Sequence, residues 1–215
     1  MAEGNGRPSP GFPSESDPKE KPRPTDRIGL DGEGPDSKPE ELTHLYGNRL
    51  VEKDNPVIVF RGRLDTLCAM LLEAQVLGGE LKNFDFVGDI QEILDFARSL
   101  LPAEMGKTTL GEFRLLGLSS KELREQSHHP RRYFGRKHLL MHHSMGPLCV
   151  RLNTLRVATR ETELAAVKAF RDGANPSVCL RKDIVEALNR LSSLFYIMVY
   201  KYLPSGYVQT GDSGI

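Results

Sequence analysis

PLCVRLNTLRVATRETELAAVKAFR, residues 147–171, and RKDIVEALNRLSSLFYIMVYKYL, residues 181–203, are long stretches in which apolar side chains return every three or four positions. In the first, Leu152, Leu155, Thr159, Ala166 and Phe170 fall on one face; in the second, Ile184, Leu188, Leu191, Phe195 and Met198 do. That period predicts two long amphipathic helices, the second closed by Pro204.

Upstream the same pattern recurs. Leu64, Leu67, Leu71 and Ala74 predict a helix over about 61–77 that Gly78 and Gly79 end, with PVIVF at 56–60 as an extended lead-in. Phe86, Ile90, Ile93, Leu94, Ala97 and Leu101 predict another, stopped by Pro102. Ser119 followed by Glu122 reads as a capping box, with Leu118 and Leu123 as its staple, opening a short helix over about 120–127. Residues 128–146 (HHPRRYFGRKHLLMHHSMG) have no period and read as a binding loop. No strand alternation persists beyond five residues and no repeat is visible. The expected class is therefore all-α, a bundle of four long helices and a short one.

The folded unit is expected to span 41–204. Residues 1–40 hold eight of the 14 prolines but only Met1, Ala2, Phe12, Ile28 and Leu30 as apolar side chains, so they are read as a disordered tail. Residues 205–215 are read as a flexible end: TGDSG at 210–214 has the composition of a phosphate-binding loop but no helix after it. Lys plus Arg and Asp plus Glu are both 29, which offers no global field for nucleic acid or an anionic membrane. No run approaches the roughly 20 apolar residues of a membrane span, and no apolar leader opens the chain. Cys68, Cys149 and Cys179 are widely spaced and odd in number, as suits a reducing cytoplasm.

Candidate chemistry lies on the two long helices. Arg156, Arg160 and Glu163 sit at i, i+4 and i+7, beside the apolar stripe. Two guanidinium groups one turn apart suit phosphate oxygens. Spacing alone favours the plainer reading, a solvated face with an Arg to Glu pair. Asn189, Arg190 and Ser193 interrupt the apolar run of the last helix, where a binding edge and a water-facing side are equally apt. The six histidines lack ligand spacing, and the single ExxH at Glu125 and His128 lacks the second copy that a helical di-iron oxidase would need, so no metal site is expected.

Taken together, residues 38–67 (KPEELTHLYGNRLVEKDNPVIVFRGRLDTL), 127–135 (SHHPRRYFG), 152–163 (LNTLRVATRETE) and 183–195 (DIVEALNRLSSLF) resemble, in order and spacing, the blocks of the ethanolamine-utilisation cobalamin adenosyltransferases. The resemblance implies a five-helix bundle assembled as a homotrimer with active sites between subunits. It also implies an enzyme that transfers the 5′-deoxyadenosyl group of ATP to Co(I) of cobalamin, with Mg2+ on the phosphates, a flavoprotein reductase as partner, and association with a bacterial microcompartment. By the same resemblance Lys53, Arg156, Arg160, Glu163, Asn189 and Arg190 would contact ATP, with Arg156, Arg160 and Glu163 as the catalytic residues, the two arginines meeting charge on the departing polyphosphate. Asp65 would pair with Arg156 across the subunit boundary, and Phe134 or Tyr133 would meet the corrinoid.

Two departures stand out. The family's cysteine-rich metal motif is replaced here by GLDGEGPDSKPE, so a metal requirement does not transfer. The superfamily's amino-terminal phosphate loop has no counterpart before residue 42. That second departure keeps open a rival reading, a non-catalytic corrinoid carrier or microcompartment adaptor.

Overall fold

The computed structural model describes residues 26–28, 39–47 and 49–209; the rest of the expected amino-terminal tail and TGDSG at 210–214 lie outside the described residues. The two stretches that open the sequence reading become α5 (Gly146–Ala169) and α6 (Lys182–Tyr202), each within two residues of the boundaries drawn from periodicity. All ten residues predicted to point inward are buried, because a 3.6-residue repeat sustained over six turns leaves one face no other place to go. Thr159 satisfies its hydroxyl by donating to the Leu155 carbonyl at 2.8 Å.

α5 packs against both α6 and α1 (Pro56–Glu80), and α1 against α2 (Phe84–Glu104). PVIVF is helical rather than extended: Asn55 caps the helix by accepting from the Val57 amide at 3.0 Å, and Pro56 occupies the first turn. The β-branched run is tolerated there because Val57 and Phe60 are buried against Ala166, Phe170 and Leu188 at one end of the bundle.

Gly78 and Gly79 do not stop α1. Gly78 lies where α2 crosses, and a Cβ there would stand 2.8 Å from the Phe86 ring and 2.9 Å from Val87, so the glycine serves close packing. Pro102 likewise lies inside the last turn of α2. That turn is held from outside: Glu104 is fully buried, accepts from Arg61 Nε at 2.9 Å and from the Tyr46 hydroxyl, and Arg61 donates also to the Leu45 carbonyl at 3.0 Å. In consequence Leu100 is buried and Leu101, expected inside, is 38% exposed.

The bundle carries a small sheet that the sequence reading did not anticipate. β1 (Asp26–Ile28), β2 (Leu42–Tyr46) and β3 (Arg49–Glu52) form an antiparallel sheet in the order β1-β3-β2, with a bulge between His44 and Tyr46. Its inward side chains Leu45 and Val51 join the core beneath α1.

A hairpin, β4 (Arg114–Leu115) and β5 (Leu118–Ser119), turns through Leu116 and Gly117, both at positive φ, the geometry of a tight I′ turn. Leu116 is kept there by its amide donating to Glu92 at 2.6 Å. α3 (Ser120–His128) follows with both halves of the predicted capping box present, and Leu118 and Leu123 join one core cluster. Residues 128–146, read as a loop, contain α4 (Pro130–Phe134), ended by Gly135 in the left-handed region, and a 3-10 turn at His143–Met145. After α6 the chain stays packed: Arg136 donates to the Tyr207 carbonyl at 2.8 Å, and Tyr207 rests against the core.

Candidate functional site

Glu163 on α5 faces Asn189 and Arg190 on α6, with Arg160 one turn before it on its own helix. The α5/α6 packing that buries Leu152, Leu155, Leu188 and Leu191 brings these four polar residues to the rim of the seam. Burial pushes the Glu163 carboxyl above its ordinary range, while Arg160, the Asn189 side chain and Arg190 pull it back. Arg190 donates to Asn189 Oδ1 at 3.3 Å, yet its buried Nε has no hydrogen-bond partner among the described residues. A buried cationic donor left unpaired is costly.

The other sequence candidates are placed elsewhere. Arg156 turns back along α5, with Nε and a terminal nitrogen on Asn153 Oδ1 at 3.1 and 3.0 Å. Asp65 lies in a groove of about 280 Å³ between α1 and α2, beside Cys68 and Arg98, and not against Arg156 of the same chain. Lys53 follows the β2/β3 hairpin and makes an exposed ion pair with Glu40 at 3.8 Å.

Phe134 stacks on Tyr200 of α6, ring centres 4.5 Å apart and planes 13° from parallel. Tyr133 points its hydroxyl at Glu125 (2.6 Å), which also receives Arg132 at 3.1 Å. Glu125 of the lone ExxH is thereby engaged in a hydrogen bond and an ion pair. Among the described residues no three His, Cys, Asp or Glu side chains are grouped to hold a metal ion.

Two groups escaped the sequence reading. Tyr196 and Tyr200, whose hydroxyls are 2.8 Å apart, tie residues 137–139 to α6: Tyr196 meets His138 Nδ1 at 2.9 Å and Tyr200 donates to the Lys137 carbonyl at 3.0 Å. Burial, then Tyr196, pushes the Tyr200 hydroxyl well above the usual tyrosine range, so it stays a donor. Their i, i+4 spacing on the last helix was the available signal. The second group is an open cleft of about 840 Å³ bounded by Asn189 and Arg190 on one side and by α3 and the residues before β4 on the other.

A family model described as "Cobalamin adenosyltransferase" matches residues 36–202, which spans the hairpin, the bundle and this polar rim. The chain belongs to the cobalamin adenosyltransferase family. Within that family it is similar to the corrinoid adenosyltransferase EutT of Escherichia coli K12, 36% identical over 162 residues, and to that of Salmonella typhimurium LT2, 35% identical over 162 residues. In each case the match covers 75% of this chain and 58% of the relative, so the chain spans a little over half the length of the relatives it matches. No solved structure matches. Among the described residues of this cobalamin adenosyltransferase family member, no helix is long and apolar enough to cross a membrane.

Proposed function

We propose that this chain is a corrinoid adenosyltransferase that uses ATP as donor and serves ethanolamine utilisation. The observation that carries the reading is the rim on α5 and α6, where Arg160, Glu163, Asn189 and Arg190 converge and the buried Arg190 Nε is left without an acceptor. Family membership and the two relatives named corrinoid adenosyltransferase support the choice of reaction.

In the proposed reaction the Co(I) electron pair of the corrinoid forms a bond to C5′ of ATP. The bond from C5′ to the phosphate oxygen breaks, and triphosphate leaves with the electron pair of that broken C–O bond. The protein's part is to hold C5′ toward the cobalt and to meet charge growing on the departing oxygen with fixed cations. Arg160 and Arg190 supply that charge at the rim, and Glu163 orients Arg160. Mg2+ would arrive on the phosphates; Glu163 and the Asn189 side-chain oxygen are donors of the kind it takes. Arg156 and Asp65 would meet between subunits of a homotrimer, each lying clear of the other within one chain. Lys53 would reach the phosphates from the hairpin.

The test is adenosylcobalamin formation from chemically reduced cobalamin, ATP and Mg2+, followed by its absorbance. The wild type is expected to turn over and Arg160→Ala to lose about 100-fold, the scale of removing one preorganised donor from a transition state. A wild type that binds corrinoid but never alkylates it would be a carrier, and the proposal would fall.

Phe134, backed by Tyr200, is proposed to exclude the lower axial ligand from cobalt. Phe134→Ala should therefore slow conversion starting from Co(II) far more than from Co(I); equal losses on both would refute that role.

A further inference from the structure

Asn189 and Arg190 are a shared wall: on one side stand Arg160 and Glu163, on the other the open cleft beneath α3. Its volume of about 840 Å³ falls inside the range of small-molecule sites, roughly 300–1,000 Å³. Four cationic side chains line it, Lys121 and Arg124 from α3 and Lys182 and Arg190 from α6, against the carboxylates Glu112 and Glu186. Four positive less two negative charges leave a net of two positive. Glu186 is moreover occupied, accepting from the Ser120 hydroxyl at 2.8 Å.

Lys121 and Arg124 are at i and i+3, so one face of α3 presents both. The side chains of Lys121, Arg124 and Lys182 form no hydrogen bond or ion pair among the described residues. Elsewhere in this chain arginines are used internally: Arg61, Arg63, Arg132, Arg151 and Arg181 all hold carboxylates. Three unengaged cations around one concavity, next to a buried guanidinium nitrogen that lacks an acceptor, are complementary to an extended polyanion.

We propose that this cleft takes the polyphosphate chain of the nucleotide, with Lys121 and Arg124 as its phosphate-binding residues beside Arg190. The inference rests on the ATP-dependent reading above. A nucleotide laid over the shared wall keeps its ribose and first phosphate by Arg160 and Glu163 and runs its outer phosphates under α3. The α3 cations then hold triphosphate while the bond to C5′ breaks.

The probe is inorganic tripolyphosphate with Mg2+, titrated calorimetrically into the full chain alone and in competition with ATP. Tripolyphosphate should bind the wild type and displace ATP. The double variant K121A/R124A, altered at two exposed positions, should keep its melting temperature and bind both ligands at least tenfold more weakly, while K121R/R124K should restore most of that loss.

Unchanged tripolyphosphate affinity in K121A/R124A, or no binding to the wild type, would overturn the assignment. The two readings fail separately. A wild type that holds tripolyphosphate through these residues yet makes no adenosylcobalamin refutes the transferase alone; one that transfers adenosyl at an undiminished rate in K121A/R124A refutes the cleft alone.

Discussion

Two of the places where this protein sets a carboxylate against arginine use it oppositely. At the foot of the bundle Glu104 is wholly buried, and Arg61 and Tyr46 fill its oxygens while Arg61 also serves the Leu45 carbonyl. At the α5/α6 rim Glu163 is only half-buried, Arg160 is exposed, and Arg190 keeps a buried nitrogen without a partner. The first constellation is closed: every strong donor and acceptor is spent on joining the sheet, α1 and α2. The second is open, and its polar groups are held in position by packing they do not contribute to. Where burial of charge is complete and satisfied it ties elements of the fold together; where it is partial, donors and acceptors are left unspent.

The contrast breaks most visibly at Glu104. Glu104→Ala leaves the Arg61 guanidinium, whose side chain is 19% exposed, without its anion and the Tyr46 hydroxyl without its acceptor, and is expected to cost about 2–3 kcal/mol in chemical denaturation. A loss under 1 kcal/mol would mean the closed site is not structural. Arg160→Ala should do the reverse, changing unfolding free energy by no more than about 0.5 kcal/mol, as for other exposed positions, while lowering the proposed adenosyl transfer about 100-fold. A large destabilisation there would erase the distinction.

The smallest effect is Glu163→Gln. Because burial raises the Glu163 pKa in the folded state, folding favours its protonated form, so the stability it contributes is present below the ordinary carboxylate pKa and lost as pH rises through the raised value. The glutamine variant, which carries no charge to desolvate, should melt at the same temperature as wild type near pH 4 and a degree or so higher at pH 7. A wild type that gains on the variant with rising pH would reverse the sign and the argument.

Sequence reasoning reached the long helices because their periods run for many turns, and it placed α5 and α6 nearly to the residue. It passed over a local signal at the start of α1, the Asn55 cap with Pro56 in the first turn, and elsewhere on the α1/α2 pair local propensity was outweighed by tertiary contact. Val57 and Phe60 are helical because they are buried, Gly78 is small because Phe86 presses on it, and Pro102 is overridden by the bonds at Glu104. The sheet was illegible because strands of three to five residues carry little period and their partners lie elsewhere along the chain. Periodicity put Arg156, Arg160 and Glu163 on one side of a helix, but only packing separates Arg160, which meets the rim, from Arg156, which folds back on Asn153. Lys121 and Arg124 belong to a short helix and lie 69 and 66 residues before Arg190, a separation no spacing rule bridges.

The missing side chain at Gly78 reaches further than its own contact. It sits near the fold of a two-helix hairpin, and Arg61 lies 17 residues back along α1, about 25 Å away at 1.5 Å per residue. Two rods hinged at one end diverge in proportion to distance from the hinge. An added methyl at that pivot would therefore pry the arms apart most at their tips, and the first bonds to feel it would be those between Arg61 and Glu104.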